Sequence, residues 1–216
     1  MSAAPIRLML VDDHAIVRSG FRRLLEQEPL LHIVAEAESG ERAYAAYIRE
    51  LPDVVVMDLS MPGMSGFETI RRILAREPAA RILVFTMHED AMRAERAIEL
   101  GARGYVTKGS APDVLAKAIV EVAAGRLFLS ADVAQSIAQS KLSGEESPLK
   151  VLTAREFEIF RLLVAGTGAA DIARILNLSA KTVANNRTLI NQKLHASGDV
   201  ELVLLALRHD LVGQGL

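Results

Sequence analysis

Apolar and polar positions follow two alternating rhythms along the first 125 or so residues. Short apolar runs bounded by turn formers predict buried strands at residues 6–11, 32–37, 53–57, 81–85 and 104–106. Between them, apolar residues recur every three to four positions and predict helices at residues 14–27, 40–49, 66–76, 90–100 and 112–124. The predicted inward faces include Val17, Phe21, Leu24 and Leu25, then Phe67, Ile70 and Leu74, then Leu115, Ala118, Ile119 and Val122. Pro52, Gly101 and Gly125 stop three of these helices. Strict strand–helix alternation implies a parallel sheet with helices on both faces.

In such a sheet all strand ends lie along one edge, which brings sequence-distant polar residues together. Asp12 and Asp13 close the first run, Asp58 the third and Thr86 the fourth, while Lys108 follows the fifth. Asp58 is delivered by an apolar run into a turn that Pro62, Gly63 and Gly66 enforce. A lone aspartate there reads equally as a strand terminator; five such residues at one edge point to a site. Three clustered carboxylates call for a cation, and hard oxygen ligands favour Mg²⁺. A carboxylate nucleophile can then form an acyl phosphate, with Lys108 and the Thr86 hydroxyl serving phosphoryl oxygens. No glycine-rich phosphate loop is present, which speaks against nucleotide binding. The five histidines show no ligand spacing and read as surface residues.

Beyond residue 125 the rhythm changes. Residues 130–141 suit a short helix, and 142–148 are polar, so 126–148 reads as a partly helical linker between domains at 5–125 and 149–216. Thr153-Ala154-Arg155-Glu156 has capping-box spacing and opens a helix to Ala165. A short helix at 169–176, a turn at Asn177-Leu178-Ser179, a longer helix at 180–194 and a last one at 199–208 complete an all-α helix-turn-helix pattern. In the longer helix Val183, Ile190 and Leu194 form the core stripe; Lys181, Asn185, Thr188 and Gln192 face outward with Ala184 flanking. Amides, a hydroxyl and an ammonium without an acid suit major-groove reading, though a solvated face has a similar composition. The last helix is apolar on more than one side, which fits either a subunit interface or burial within the monomer.

Charge and composition narrow the class. Half of the residues are hydrophobic and no cysteine is present, which fits a reducing cytoplasm and excludes thiolate metal sites. No signal peptide or membrane-spanning run is found, so no membrane role is expected. Residues 1–148 carry 17 basic and 21 acidic side chains, residues 149–216 carry 8 and 6, so the C-terminal part is the basic one.

Residues 6–124 resemble a response-regulator receiver domain, through Asp12-Asp13, Asp58 before Met61-Pro62-Gly63-Met64-Ser65-Gly66, Thr86, and Tyr105 three before Lys108. The resemblance implies a flavodoxin-like (βα)5 fold with strand order 2-1-3-4-5. It implies phosphorylation of Asp58 by a sensor histidine kinase, with Mg²⁺ held by Asp13, Asp58 and the main-chain oxygen of Ser60, and by Asp12 through water. Thr86 and Tyr105 would be its switch pair. Pro112 stands four residues after Lys108, where many receivers place proline directly after the lysine. Residues 152–211 are similar to the DNA-binding domain of the NarL/FixJ (LuxR-type) regulators. The similarity rests on Leu152-Thr153-x-Arg155-Glu156, Asp171-Ile172-Ala173, Leu178-Ser179-x-Lys181-Thr182-Val183 and Lys193-Leu194. It implies base contacts at Ala184, Asn185 and Thr188, phosphate contacts at Lys181, Thr182 and Lys193, and a place in the DNA-binding set for Ser179. Asn186 replaces a frequent histidine and Ala184 a frequent lysine. Residues 198–202 and 108–109 look closest to the GacA/UvrY-type global activators. The expectation is a promoter-binding transcription regulator, not an enzyme, dimeric when phosphorylated. A small phosphatase on the same sheet leaves the C-terminal helices unexplained.

Overall fold

The computed structural model describes residues 4–142 and 148–208. Residues 1–3, 143–147 and 209–216 lie outside it, and with them most of the polar stretch read as the domain boundary and the end of the LuxR-like segment. The chain forms two compact units, Met1–Leu142 and Ser143–Leu216.

In the first unit β1 (Ile6–Val11), α1 (Ala15–Leu25), β2 (Leu31–Ala37), α2 (Gly40–Glu50), β3 (Val54–Met57), α3 (Gly66–Arg76), β4 (Ile82–Thr86), α4 (Ala91–Glu99), β5 (Gly104–Thr107) and α5 (Pro112–Ala123) follow in strict alternation. All strands pair in parallel in the order β2-β1-β3-β4-β5, with a sixth strand, β6 (Phe128–Leu129), beside β5. Every residue of β3 is buried, because helices cover both faces of a central parallel strand. The core joins Leu8, Leu10, Val54, Val56, Leu83, Phe85 and Val106 of the sheet to Leu115, Ala118, Ile119 and Val122 of α5. Burying Leu115 or Ile119 contributes roughly 1.5–3 kcal/mol each. Phe21 of α1 meets Phe85 edge to face at 4.5 Å, which fixes α1 across the sheet. Ser39, Ser65 and Asp90 cap α2, α3 and α4 by accepting from backbone N–H groups in the first turn.

The parallel sheet is one strand larger than the repeat suggests. Phe128–Leu129 forms β6, in register with Gly104 and Tyr105 of β5, and α6 (Ala131–Leu142) packs against α4. The first half of the expected linker is therefore built into the sheet unit. A two-residue strand has no period to read, so only the pairing reveals it.

The second unit is helical: a 3₁₀ turn at Pro148–Val151, then α7 (Ala154–Val164), α8 (Ala169–Ile175), α9 (Ala180–Lys193) and α10 (Asp199–Arg208). Leu149, Leu152, Phe157, Ile159, Phe160, Ile172, Val183, Ile190, Leu202 and Ala206 form its core. Both halves of the Thr153–Glu156 capping box are made. Asn177 takes a left-handed conformation (φ 51°) in the turn between α8 and α9, which asparagine tolerates better than most residues.

Candidate functional site

Strand register assembles the polar edge of the first unit. Val11 pairs with Met57, so Asp12 and Asp58 leave neighbouring strands side by side, and Asp58 N–H donates to the Val11 carbonyl at 2.9 Å. Thr86 pairs with Thr107, and Lys108 N–H donates to the Thr86 carbonyl at 2.7 Å. The α3 helix starts hard against the turn that follows Asp58. A Cβ at Gly66 would lie 2.3 Å from the Asp58 carbonyl oxygen, so this approach admits only glycine.

The side chains converge as the sheet requires. Lys108 Nζ lies 2.6 Å from Asp58 Oδ2 and 2.6 Å from Asp12 Oδ2, with both carboxylates buried. Burial pulls the Lys108 pKa down, but Asp58 and Asp12 outweigh it and hold the ammonium above its ordinary value. Ser60 N–H donates to Asp58 Oδ1 at 3.3 Å. Asp12, Asp13 and Asp58 against one ammonium leave a formal charge of −2, the complement of a divalent cation. The carboxylate oxygens fit Mg²⁺ in hardness. His14 joins this group, with Nδ1 3.0 Å from Asp13 Oδ1; its proximity comes from following the acidic pair directly, not from ligand spacing.

Thr86 and Tyr105 are both fully buried. Among the described residues no hydrogen-bond partner reaches Thr86 Oγ1, which leaves a desolvated hydroxyl on the strand that borders Asp58. The Tyr105 hydroxyl donates to the His88 carbonyl at 2.8 Å, and His88 Nε2 lies 2.8 Å from Ser60 Oγ. Burial, reinforced by Asp90, pushes the Tyr105 phenol well above its ordinary pKa, so it stays a neutral donor.

In the second unit, α9 turns Val183, Ile190 and Leu194 inward and leaves Lys181, Ala184, Asn185, Thr188 and Gln192 exposed. Ser179 caps the helix by accepting from Thr182 N–H at 3.0 Å, and the two hydroxyls meet at 2.8 Å. The Thr188 hydroxyl donates to the Ala184 carbonyl at 3.2 Å, leaving its lone pairs outward. Lys193 is placed differently from the other expected DNA contacts. Its ammonium lies 2.6 Å from Glu156 Oε2, a buried carboxylate, so its partner in this structure belongs to α7.

Three residues make long-range ties that the sequence reading does not assign them. Arg155 donates to the Leu176 carbonyl at 2.6 Å and so holds the end of α8. Glu156 completes the cap of α7 and grips α9 through Lys193, so the Thr153–Glu156 segment ties three helices together. Arg187 pairs with Asp199 at 2.7 Å and joins α9 to α10. On α10, Leu202 and Ala206 are buried while Val200, Leu204 and Leu207 are 75%, 49% and 50% exposed, a stripe at helical spacing.

Among the described residues no helix is long and apolar enough to cross a membrane. Residues 8–120 match the response regulator receiver domain family, and residues 150–206 match the luxR family of bacterial regulatory proteins. Response regulator UvrY of Escherichia coli is 39% identical over 208 residues, 95% of each protein. Response regulator GacA of Pseudomonas protegens is 38% identical over 98% of this chain and all of its own. A LuxR-family two-component response regulator from Aurantimonas is 50% identical over 64% of this chain and 99% of its own, with a TM-score of 0.63. RcsB of Salmonella enterica serovar Typhimurium, solved bound to a promoter in the presence of the phosphomimetic BeF3⁻, is 28% identical over 93% of this chain and 97% of its own, with a TM-score of 0.70. A receiver edge of clustered aspartates joined to a LuxR-type helix-turn-helix makes this chain a member of the LuxR-type DNA-binding response regulators of two-component systems.

Proposed function

We propose that Asp58 is the phosphoacceptor and that its phosphorylation, by the phosphohistidine of a sensor histidine kinase, controls dimerisation and promoter binding in the cytoplasm. The observation that carries this is Lys108 bridging Asp12 and Asp58 at the edge where the Thr86 hydroxyl is buried with no partner among the described residues. A carboxylate oxygen of Asp58 attacks phosphorus, the P–N bond to the donor imidazole breaks, and an acyl phosphate forms. Asp13, Asp58 and the Ser60 main-chain oxygen would hold Mg²⁺ directly, with Asp12 acting through water. When bound, the cation neutralises phosphoryl oxygens as they approach the carboxylates. Lys108 takes a further phosphoryl oxygen, and the Thr86 hydroxyl donates the hydrogen bond it lacks in this structure. Thr86 and the buried Tyr105 then stabilise one of two receiver states.

The α9 helix reads DNA. Ala184, Asn185 and Thr188 meet base edges, while Ser179, Lys181 and Thr182 meet phosphates. Lys193 approaches the backbone from its ion pair with Glu156. The exposed Val200, Leu204 and Leu207 stripe suits a second copy of the chain, as a two-fold operator requires. Relatedness to RcsB, solved on a promoter with a phosphomimetic, supports this assignment.

Incubation with a small phosphodonor and Mg²⁺ tests the acceptor: a phosphate-affinity gel should show a retarded band that Asp58→Asn abolishes. An unretarded wild type, or retardation that survives the substitution, overturns the reading. Asn185→Ala and Thr188→Ala should weaken specific DNA binding more than non-specific binding; equal loss of both argues against base reading.

A further inference from the structure

We infer that Asp132, which lies beyond the five-fold repeat, is a positioning residue for the phosphoryl site, acting through Thr107 on the loop that carries Lys108. The inference rests on the phosphoacceptor reading of Asp58. Lys108 is mounted between Thr107, the last residue of β5, and Ser110, whose N–H closes a tight turn on the Thr107 carbonyl at 3.1 Å. Thr107 Oγ1 donates to Asp132 Oδ2 at 2.6 Å and lies 3.0 Å from Ser110 Oγ. A threonine hydroxyl has one proton, and the carboxylate takes it, so Ser110 is the donor in the second contact. The loop is therefore clamped at both ends by one hydroxyl whose orientation Asp132 dictates.

Asp132 is itself held firmly. The β6 strand pairs with β5 at Gly104 and Tyr105, and Ser130 N–H donates to the Tyr105 carbonyl at 3.0 Å. Val133, the next residue of α6, is fully buried, and α6 packs on α4. The carboxylate thus arrives on a frame fastened to the strand that carries Tyr105. Bonds to an ionised acceptor are about twice as strong as neutral ones. The clamp fixes where Lys108 leaves the sheet and hence how its ammonium reaches Asp58, 2.6 Å away. Coupling is reciprocal: loading Asp58 strains or relaxes the Thr107–Asp132 bond, and displacement of α6 is felt at Lys108. Since α6 ends at Leu142, where the chain leaves for the second unit, Asp132 connects the phosphoryl site to the segment that leads to DNA.

Titration of the full chain with beryllofluoride and Mg²⁺, followed by the ¹⁹F resonance of the bound group, tests this. Asp132→Ala and Thr107→Val should each weaken binding on the order of fivefold. The double variant should be no worse than Thr107→Val alone, because that substitution already removes the bond that Asp132 makes. Asp132→Asn and Thr107→Ser should restore most of the affinity, since the amide oxygen still accepts and the serine hydroxyl still donates. Multiplying losses in the double variant, or wild-type affinity in both single variants, overturns the inference while leaving Asp58 as acceptor. If Asp132→Ala does not fold, the Thr107→Val and Thr107→Ser pair makes the same distinction. Absence of the bound signal from the wild type sinks the acceptor reading and this inference together.

Discussion

Lys108 stands equally close to Asp12 and Asp58, at 2.6 Å from one oxygen of each. Removing the ammonium leaves two buried carboxylates facing one another, so Lys108→Met should lower stability on the order of 3 kcal/mol in urea denaturation with chelator present. Mg²⁺ should recover more stability in the variant than in the wild type, because the cation takes over the missing charge. The Lys108 pKa is raised, so its contribution is complete below the free lysine value of about 10.4 and is lost as pH climbs through the higher folded value. A variant with wild-type midpoints would contradict the pairing.

Thr86 separates stability from signalling. Its hydroxyl is desolvated without a described partner, so Thr86→Val should leave the urea midpoint unchanged to within about 0.5 kcal/mol, or raise it. Beryllofluoride binding should nevertheless weaken. A large loss of stability would mean that the hydroxyl is already bonded in the resting protein.

For Tyr105 the opposite pattern is expected. Tyr105→Phe deletes the 2.8 Å bond to the His88 carbonyl and should cost about 1 kcal/mol by denaturant titration. An unchanged midpoint would show that water replaces the phenol at no loss.

Gly66→Ala forces a Cβ into the backbone that carries Asp58 and should destabilise the receiver by roughly 1–3 kcal/mol or more. Phosphorylation should fall with it. Differential scanning calorimetry of the full chain should show the receiver's transition moving down while the second unit's transition stays.

The second unit has an acid limit. Burial raises the Glu156 pKa, but hydrogen bonds from Lys193 and Thr153 outweigh it, and the net shift is downward. Its stabilisation is therefore complete above the ordinary glutamate value of about 4.3 and fades as pH falls through the lower folded value. Lys193→Met should destabilise this unit at neutral pH and, because Lys193 also meets the DNA backbone, lower the salt slope of DNA binding, though by less than a cation with no carboxylate partner. Lys181→Ala should reduce that slope by about 0.9. A slope left unchanged by Lys193→Met would remove Lys193 from the phosphate contacts and leave it only its tie to Glu156.

Legibility in the sequence followed physical cause. Strands β1 to β5 were readable because burial on both faces demands unbroken apolar runs, and their polar ends converge by topology alone. Thr153 and Glu156 were readable as a cap because three-residue spacing is a local requirement. What stayed hidden depends on long-range pairing. Phe128–Leu129 is too short to show a period, and the helix readable at residues 130–141 gives no sign that it packs on α4, because Val133 is its main anchor. The tie from Thr107 to Asp132 spans 25 positions and leaves no trace in local composition. The tie from Lys193 to Glu156 was hidden because Glu156 already had an assigned local task.

The sixth strand also bears on how this protein can be dissected. Phe128 and Ser130 N–H groups satisfy the Arg103 and Tyr105 carbonyls along the outer side of β5. A receiver fragment ended at Gly125, where the helical repeat stops, would bare that row of carbonyls and amides. Open sheet edges recruit foreign strands. Such a fragment should self-associate for reasons unrelated to phosphorylation, whereas one ended at Leu142 keeps β5 covered by its own sixth strand.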